Sequence, residues 1–164
     1  MRSLGLALFV LFMWALSGTC IGDTHMTKIK KVHYTSRVHI TGGRDGGTAK
    51  SDDGQLDIRL SIPGAGSEGT NPEQLLAAGW SACLLGAMSI EAQKRSIPLP
   101  SNRAIDAEID LGTNRSEFLL AARLRVSLPG MDRETAQALV NAAHNTCPYS
   151  KTLRGNIDIV VSLA

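Results

Sequence analysis

Two cysteines, Cys83 and Cys147, are the side chains of this 164-residue sequence best suited to covalent chemistry. A thiolate is a nucleophile that passes reversibly through a sulfenic acid and a disulfide. Taken alone, Cys83 reads as a small hydrophobe on the buried face of a helix, the usual place for a free cysteine. Cys147 differs: it stands at a helix break just before Pro148, where the backbone turns and a thiol can face a cavity. Glu73, earlier on the Cys83 helix, is a charge on an otherwise apolar surface and needs a cationic partner. Arg44, in a glycine-rich hairpin, is the candidate. A guanidinium brought to Cys83 would lower its pKa, hold the thiolate and donate hydrogen bonds to an anionic leaving group.

Two other motifs compete for attention. His144 and Cys147 stand at i, i+3, and Cys83 could add a third ligand, but no fourth presents itself and there is no C-x-x-C. No metal is assigned, and His144 reads as a helix-surface residue or an outer neighbour of the thiols. Gly64–Gly69 spells G-x-G-x-x-G between a strand and a helix. Its third glycine precedes the Asn71-Pro72 helix cap and so cannot pack inside the helix, and an antiparallel hairpin follows. The stretch reads as a flexible loop, Pro63–Thr70, that covers the site.

The elements that must position these groups follow from pattern and punctuation. Lys28–Ile40 alternates apolar residues and predicts a strand, Thr41–Gly47 a glycine-rich hairpin turn, and Thr48–Ser51 a short strand. Gln55–Ile62 alternates Leu56, Ile58, Leu60 and Ile62 inward. Asn71 as N-cap, Pro72 in the first turn and Gln74 closing a capping box start a helix that runs to Arg95. Its apolar face, through Leu75, Leu76, Gly79, Trp80, Cys83, Leu84, Ala87 and Met88, predicts a central, mostly buried helix, and Glu91, Gln93, Lys94 and Arg95 turn its end polar. Arg103–Leu111 and Glu117–Leu128 form a hairpin around Gly112–Asn114. Asp132 caps a helix over Arg133–Thr146 with Ala136, Leu139, Val140 and Ala143 buried. Pro148 opens a short turn to Leu153, and Ile157–Leu163 is the last strand. This order argues for an α+β fold with antiparallel sheets packed on a long central helix.

Composition narrows the function. The net charge is +2 and aromatic residues are 4% of the chain, which removes the basic patch and stacking platform that nucleic acid requires. The apolar run Leu4–Leu16 fits a signal-peptide core and is shorter than the roughly 20 residues of a membrane span, so no stable membrane association is expected. The alternative is a start at Met26. Either way residues 1–25 stand apart from a single domain over 26–164. The third cysteine, Cys20, lies in that segment.

The motifs GGRDG (Gly42–Gly46), GTNPEQLLAAGWSACLLGAM (Gly69–Met88), SLPGMDRETAQALVNAAHNTCPYS (Ser127–Ser150) and RGNID (Arg154–Asp158) closely resemble the organic hydroperoxide resistance proteins. These form one branch of a larger family that also holds the osmotically inducible proteins, and the CPYS form points to the hydroperoxide branch. The resemblance covers about Lys28–Ala164. It implies an intertwined α+β homodimer with active sites at the subunit interface and no cofactor. It also implies that Cys83 attacks an organic hydroperoxide, Cys147 resolves the sulfenic acid, and Arg44 and Glu73 form the network around the thiolate. Alkyl and fatty-acid hydroperoxides are the implied substrates, suited to an apolar lining from Leu75, Leu76, Trp80, Leu84 and Met88. The implied reductant is a dithiol, a lipoyl group on a cytoplasmic enzyme, and a working signal segment would instead place the protein in the periplasm or outside the cell. The rival readings are an osmotically inducible-type peroxidase, a binder of lipid-like ligands with inert cysteines, and a general thiol–disulfide oxidoreductase, which the missing C-x-x-C disfavours.

Overall fold

Capping residues fix the helix ends. The Asn71 side chain accepts a hydrogen bond from the Gln74 backbone N–H at 2.9 Å, and Pro72 follows where its missing N–H has no intrahelical partner to lose. This starts α1 (Pro72–Lys94). The Gln74 side chain accepts from the Thr70 hydroxyl at 2.7 Å, so the reciprocal half of the expected capping box is replaced by a bond to the preceding loop. Asp132 accepts from the Thr135 N–H at 2.9 Å and starts α2 (Arg133–Thr146), which stops where Pro148 forces Cys147 out of helical geometry. Proline then opens α3 (Pro148–Leu153).

The computed structural model describes residues 28–164, and the expected N-terminal segment with Cys20 lies outside the described residues. Ser36–Ala164 forms one compact unit and holds every element among the described residues. Strands β1 (Val38–Thr41), β2 (Thr48–Ser51) and β3 (Asp57–Arg59) make a small antiparallel sheet. A β-carbon on Gly47 would lie 2.2 Å from the carbonyl oxygens of Thr41 and Gly43, so the β1–β2 turn closes only around glycine. Strands β4 (Ala104–Asn114), β5 (Glu117–Ser127) and β6 (Asp158–Leu163) form a second sheet in that order.

Four expectations change. The strand predicted over Lys28–Ile40 shrinks to β1: among the described residues Lys28–Arg37 belongs to no strand, and Ile29 and Tyr34 are exposed. The alternation over Gln55–Ile62 holds through Leu60 and then fails: Leu60 bridges to Thr70, Ser61 is buried and Ile62 turns to solvent. The second sheet is mixed, since β6 pairs parallel to β5. Parallel neighbours need a crossover, and α2 with α3 supplies it. The hairpin turn also falls later, at Arg115-Ser116, because Asn114 still pairs with Glu117.

The inward face of the second sheet alternates Ala122, Leu124 and Val126 on β5, and α1 and α2 pack on it through Trp80, Leu84, Met88, Leu139, Val140 and Ala143. Burying each of the larger aliphatic side chains contributes about 1.5–3 kcal/mol. Cys147 belongs to this core, and Cys83 packs against it.

Candidate active site

Cys83 stands midway along α1, and Cys147 stands at the junction where α2 ends and α3 begins. The Cys147 backbone (φ −59°, ψ 123°) is the extended geometry that a residue before proline adopts. That turn aims its side chain at α1, and the two sulfurs lie 3.4 Å apart across 64 residues of chain. Both thiols are free. Cys147 has no exposed surface, whereas Cys83 is partly open.

Burial pushes the Cys83 thiol above the usual cysteine range, the neighbouring Cys147 sulfur adds to this, and a hydrogen bond from the Tyr149 backbone N–H works in the opposite direction. The Tyr149 ring crosses α1 at Gly79, where a β-carbon would meet its hydroxyl at 3.2 Å. Glycine at that position leaves room for the ring one turn before Cys83.

Two polar clamps hold the junction against α1. The Trp80 indole N–H donates to the Ser150 hydroxyl at 2.9 Å, with both side chains wholly buried. The Thr146 hydroxyl donates to Glu91 Oε1 at 2.8 Å, and Lys94 Nζ donates to the same oxygen at 2.8 Å. Glu91 was expected on the polar end of the helix, yet it is 7% exposed. The signal was available in the spacing: Leu84, Ala87, Met88 and Glu91 continue one stripe.

Arg44 reaches from the β1–β2 turn to Glu73 at the start of α1, and Nη2 and Oε1 form a close ion pair. Among the described residues, no hydrogen bond or ion pair joins either of them to Cys83. Glu73 and Cys83 are separated by roughly ten residues, about 15 Å of helix axis. Within one chain, then, the cation expected to lower the Cys83 pKa sits at the other end of α1's first half. The pair borders an open cavity of about 580 Å³ whose walls include Ile62, Ala77, Ile109 and Leu111.

The expected apolar lining is redistributed. Trp80, Leu84 and Met88 are wholly buried and serve the core, since side chains without surface cannot touch a ligand. Leu75 is 37% exposed and Leu76 half-buried, so these two remain at the surface. His144 is half-buried with Nδ1 unpartnered, and burial, with the Arg154 charge, holds its pKa below the usual histidine range.

The OsmC-like proteins match residues 64–162, a span that takes in Cys83, Cys147 and helices α1 to α3. The chain belongs to the OsmC-like family. Its relatives there include an organic hydroperoxide resistance protein from Xanthomonas axonopodis pv. citri, 46% identical over 143 residues, which cover 85% of this chain and 100% of that protein. OhrB of Bacillus subtilis, also an organic hydroperoxide resistance protein, is 44% identical over 135 residues, 79% of this chain and 97% of that one. The crystal structure of OhrB superposes with a TM-score of 0.74 at 43% identity, over 80% of this chain and 98% of that chain. A family structure from Legionella pneumophila gives 0.75 at 36% identity, over 82% and 99%. The α+β architecture is therefore that of the organic hydroperoxide resistance proteins within the family.

Proposed function

We propose that this protein is a two-cysteine peroxidase that reduces organic hydroperoxides. The observation that carries the reading is the 3.4 Å approach of Cys83 and Cys147 sulfurs, one partly open and one sealed in the core. A disulfide needs about 2.0 Å between sulfurs, so only a small closure separates this arrangement from the bonded one. The names of the relatives support the substrate class.

The Cys83 thiolate attacks a peroxide oxygen, the O–O bond breaks, and the alkoxide leaves as an alcohol after taking a proton. Cys83 is then a sulfenic acid. The Cys147 sulfur attacks the Cys83 sulfur, expels the oxygen as water and leaves a disulfide. A dithiol returns two electrons and two protons, and hydroperoxide plus dithiol have become alcohol, water and disulfide. The resemblance supports a lipoyl group as that dithiol, and with it the cytoplasm as the compartment.

The thiolate needs a cation that its own chain keeps away. A homodimer supplies one if the partner subunit's Arg44 and the partner subunit's Glu73 border Cys83. Exposed Ile40, Ile90, Leu111, Phe118, Leu119 and Val160 support such an assembly, since a soluble chain rarely leaves so many large apolar side chains open. The apolar wall of the Arg44 cavity then provides the bed for the alkyl part of the hydroperoxide.

The test is thiol counting by peptide mass after one equivalent of tert-butyl hydroperoxide. The native protein loses the Cys83 and Cys147 thiols together, and Cys83→Ser loses neither and shows no turnover. Sustained turnover in Cys83→Ser would falsify the assignment. A native protein that keeps both thiols is a binder with inert cysteines.

A further inference from the structure

The buried carboxylate of Glu91 has no part in peroxide chemistry, yet it is bonded to the residue next to the resolving cysteine. Glu91 lies about two turns beyond Cys83 on α1. Its Oε1 accepts from Thr146, and Thr146 immediately precedes Cys147. The backbone at Cys147 has left helical geometry, yet its N–H still donates to the Ala143 carbonyl and its carbonyl accepts from the Lys151 N–H, so the side-chain ties fix how this turn sits against α1. Apart from the contacts made to Cys83 itself, the other described hydrogen bond between α1 and the junction is Trp80–Ser150, on the far side of Cys147.

We propose that Glu91 is a positioning residue for disulfide formation: by holding Thr146, it sets the approach of the Cys147 sulfur to the Cys83 sulfur. The functional consequence rests on the peroxidase reading, because the approach decides whether a Cys83 sulfenic acid meets Cys147 or a second peroxide. Reactions between held groups gain most when both partners are fixed near contact distance, and a junction free to sway loses part of that gain. Lys94 and Thr146 keep the Glu91 carboxyl below the usual carboxylate range, so the acceptor is charged at neutral pH. The Lys94 bond, and the longer pairing to Arg95 at 3.8 Å, run along α1 itself and do not reach the junction. This separates the two roles of Glu91 experimentally.

The experiment is a redox titration of the full chain against dithiothreitol, reading the Cys83–Cys147 disulfide by alkylation and peptide mass. It uses no peroxide, so its result stands or falls apart from the peroxidase reading. Thr146→Val keeps the shape and removes the donor; Glu91→Leu removes the acceptor. Both should lower the equilibrium constant for disulfide formation about tenfold, moving the potential about 30 mV in the less reducing direction. Glu91→Gln retains an oxygen acceptor and should stay within about twofold of the native value, as should Lys94→Ala. A native potential in Thr146→Val, with thermal unfolding showing a folded protein, overturns the proposal. So does Glu91→Leu keeping the native potential while Thr146→Val shifts it, which would mean that Thr146 acts without the carboxylate.

Discussion

At the residue scale, burial and the Cys147 sulfur raise the Cys83 thiol while the Tyr149 N–H opposes them. The thiolate is the charged and reactive form, so a raised pKa means reactivity that grows as pH climbs through the folded value. Arg44, if delivered by a second subunit, opposes the same burial. Arg44→Ala should therefore move the midpoint of Cys83 alkylation to higher pH and slow peroxide turnover about 100-fold at neutral pH. An unchanged alkylation profile removes Arg44 from the site. The sequence singled out Arg44, Glu73, Cys83 and Cys147 because each is a reactive or charged type in an unusual setting, and the fold sets the two sulfurs side by side and Arg44 on Glu73. The sequence hid the Tyr149 donor, since a backbone N–H carries no residue-type signature. The burial of Glu91 was within reach of the spacing, once the stripe through Leu84, Ala87 and Met88 is followed one turn further.

At the element scale, α1 and the α2–α3 junction are the parts that bring the sulfurs together, and their limits were legible because they are set locally. Asn71, Pro72, Asp132 and Pro148 act on the first or last turn of their own helices. The buried face of α2 followed the same logic and agrees residue for residue at Ala136, Leu139, Val140 and Ala143. What local chemistry does not encode is the choice of partner. Nothing in β6 itself states that its neighbour is β5 or that the pairing is parallel; the crossover through α2 and α3 decides it. Lys28–Arg37 has the alternation of a strand, yet none of the strands among the described residues includes it. The Trp80–Ser150 bond is the element-scale counterpart of the clamp at Glu91. Trp80→Phe keeps the apolar ring and strips the donor, leaving the Ser150 hydroxyl buried without a partner. Urea unfolding should show a loss of about 1–3 kcal/mol, with no change in slope.

At the scale of the whole molecule, the β1–β3 sheet is short and thinly covered: Val38 and Ile40 are exposed, and only Ala49 of β2 is buried among its strands. Three such strands form a poor independent unit, which is consistent with a second copy completing the layer. A mixing experiment tests the proposed arrangement. Cys83→Ser and Arg44→Ala chains, each nearly inactive alone, are unfolded together and refolded. Random pairing makes half of the dimers mixed, each with one intact site of two, so about a quarter of native activity should return. If Arg44 serves the cysteine of its own chain, no site is repaired and no activity appears. The sealed position of Cys147 has one more consequence for the proposed cycle. No incoming thiol can strike a sulfur that has no surface, so an electron donor has to attack through Cys83, the atom the oxidant has just vacated. Oxidant and donor share a single berth and must take turns in it, which makes the protein a two-stroke device with ping-pong kinetics.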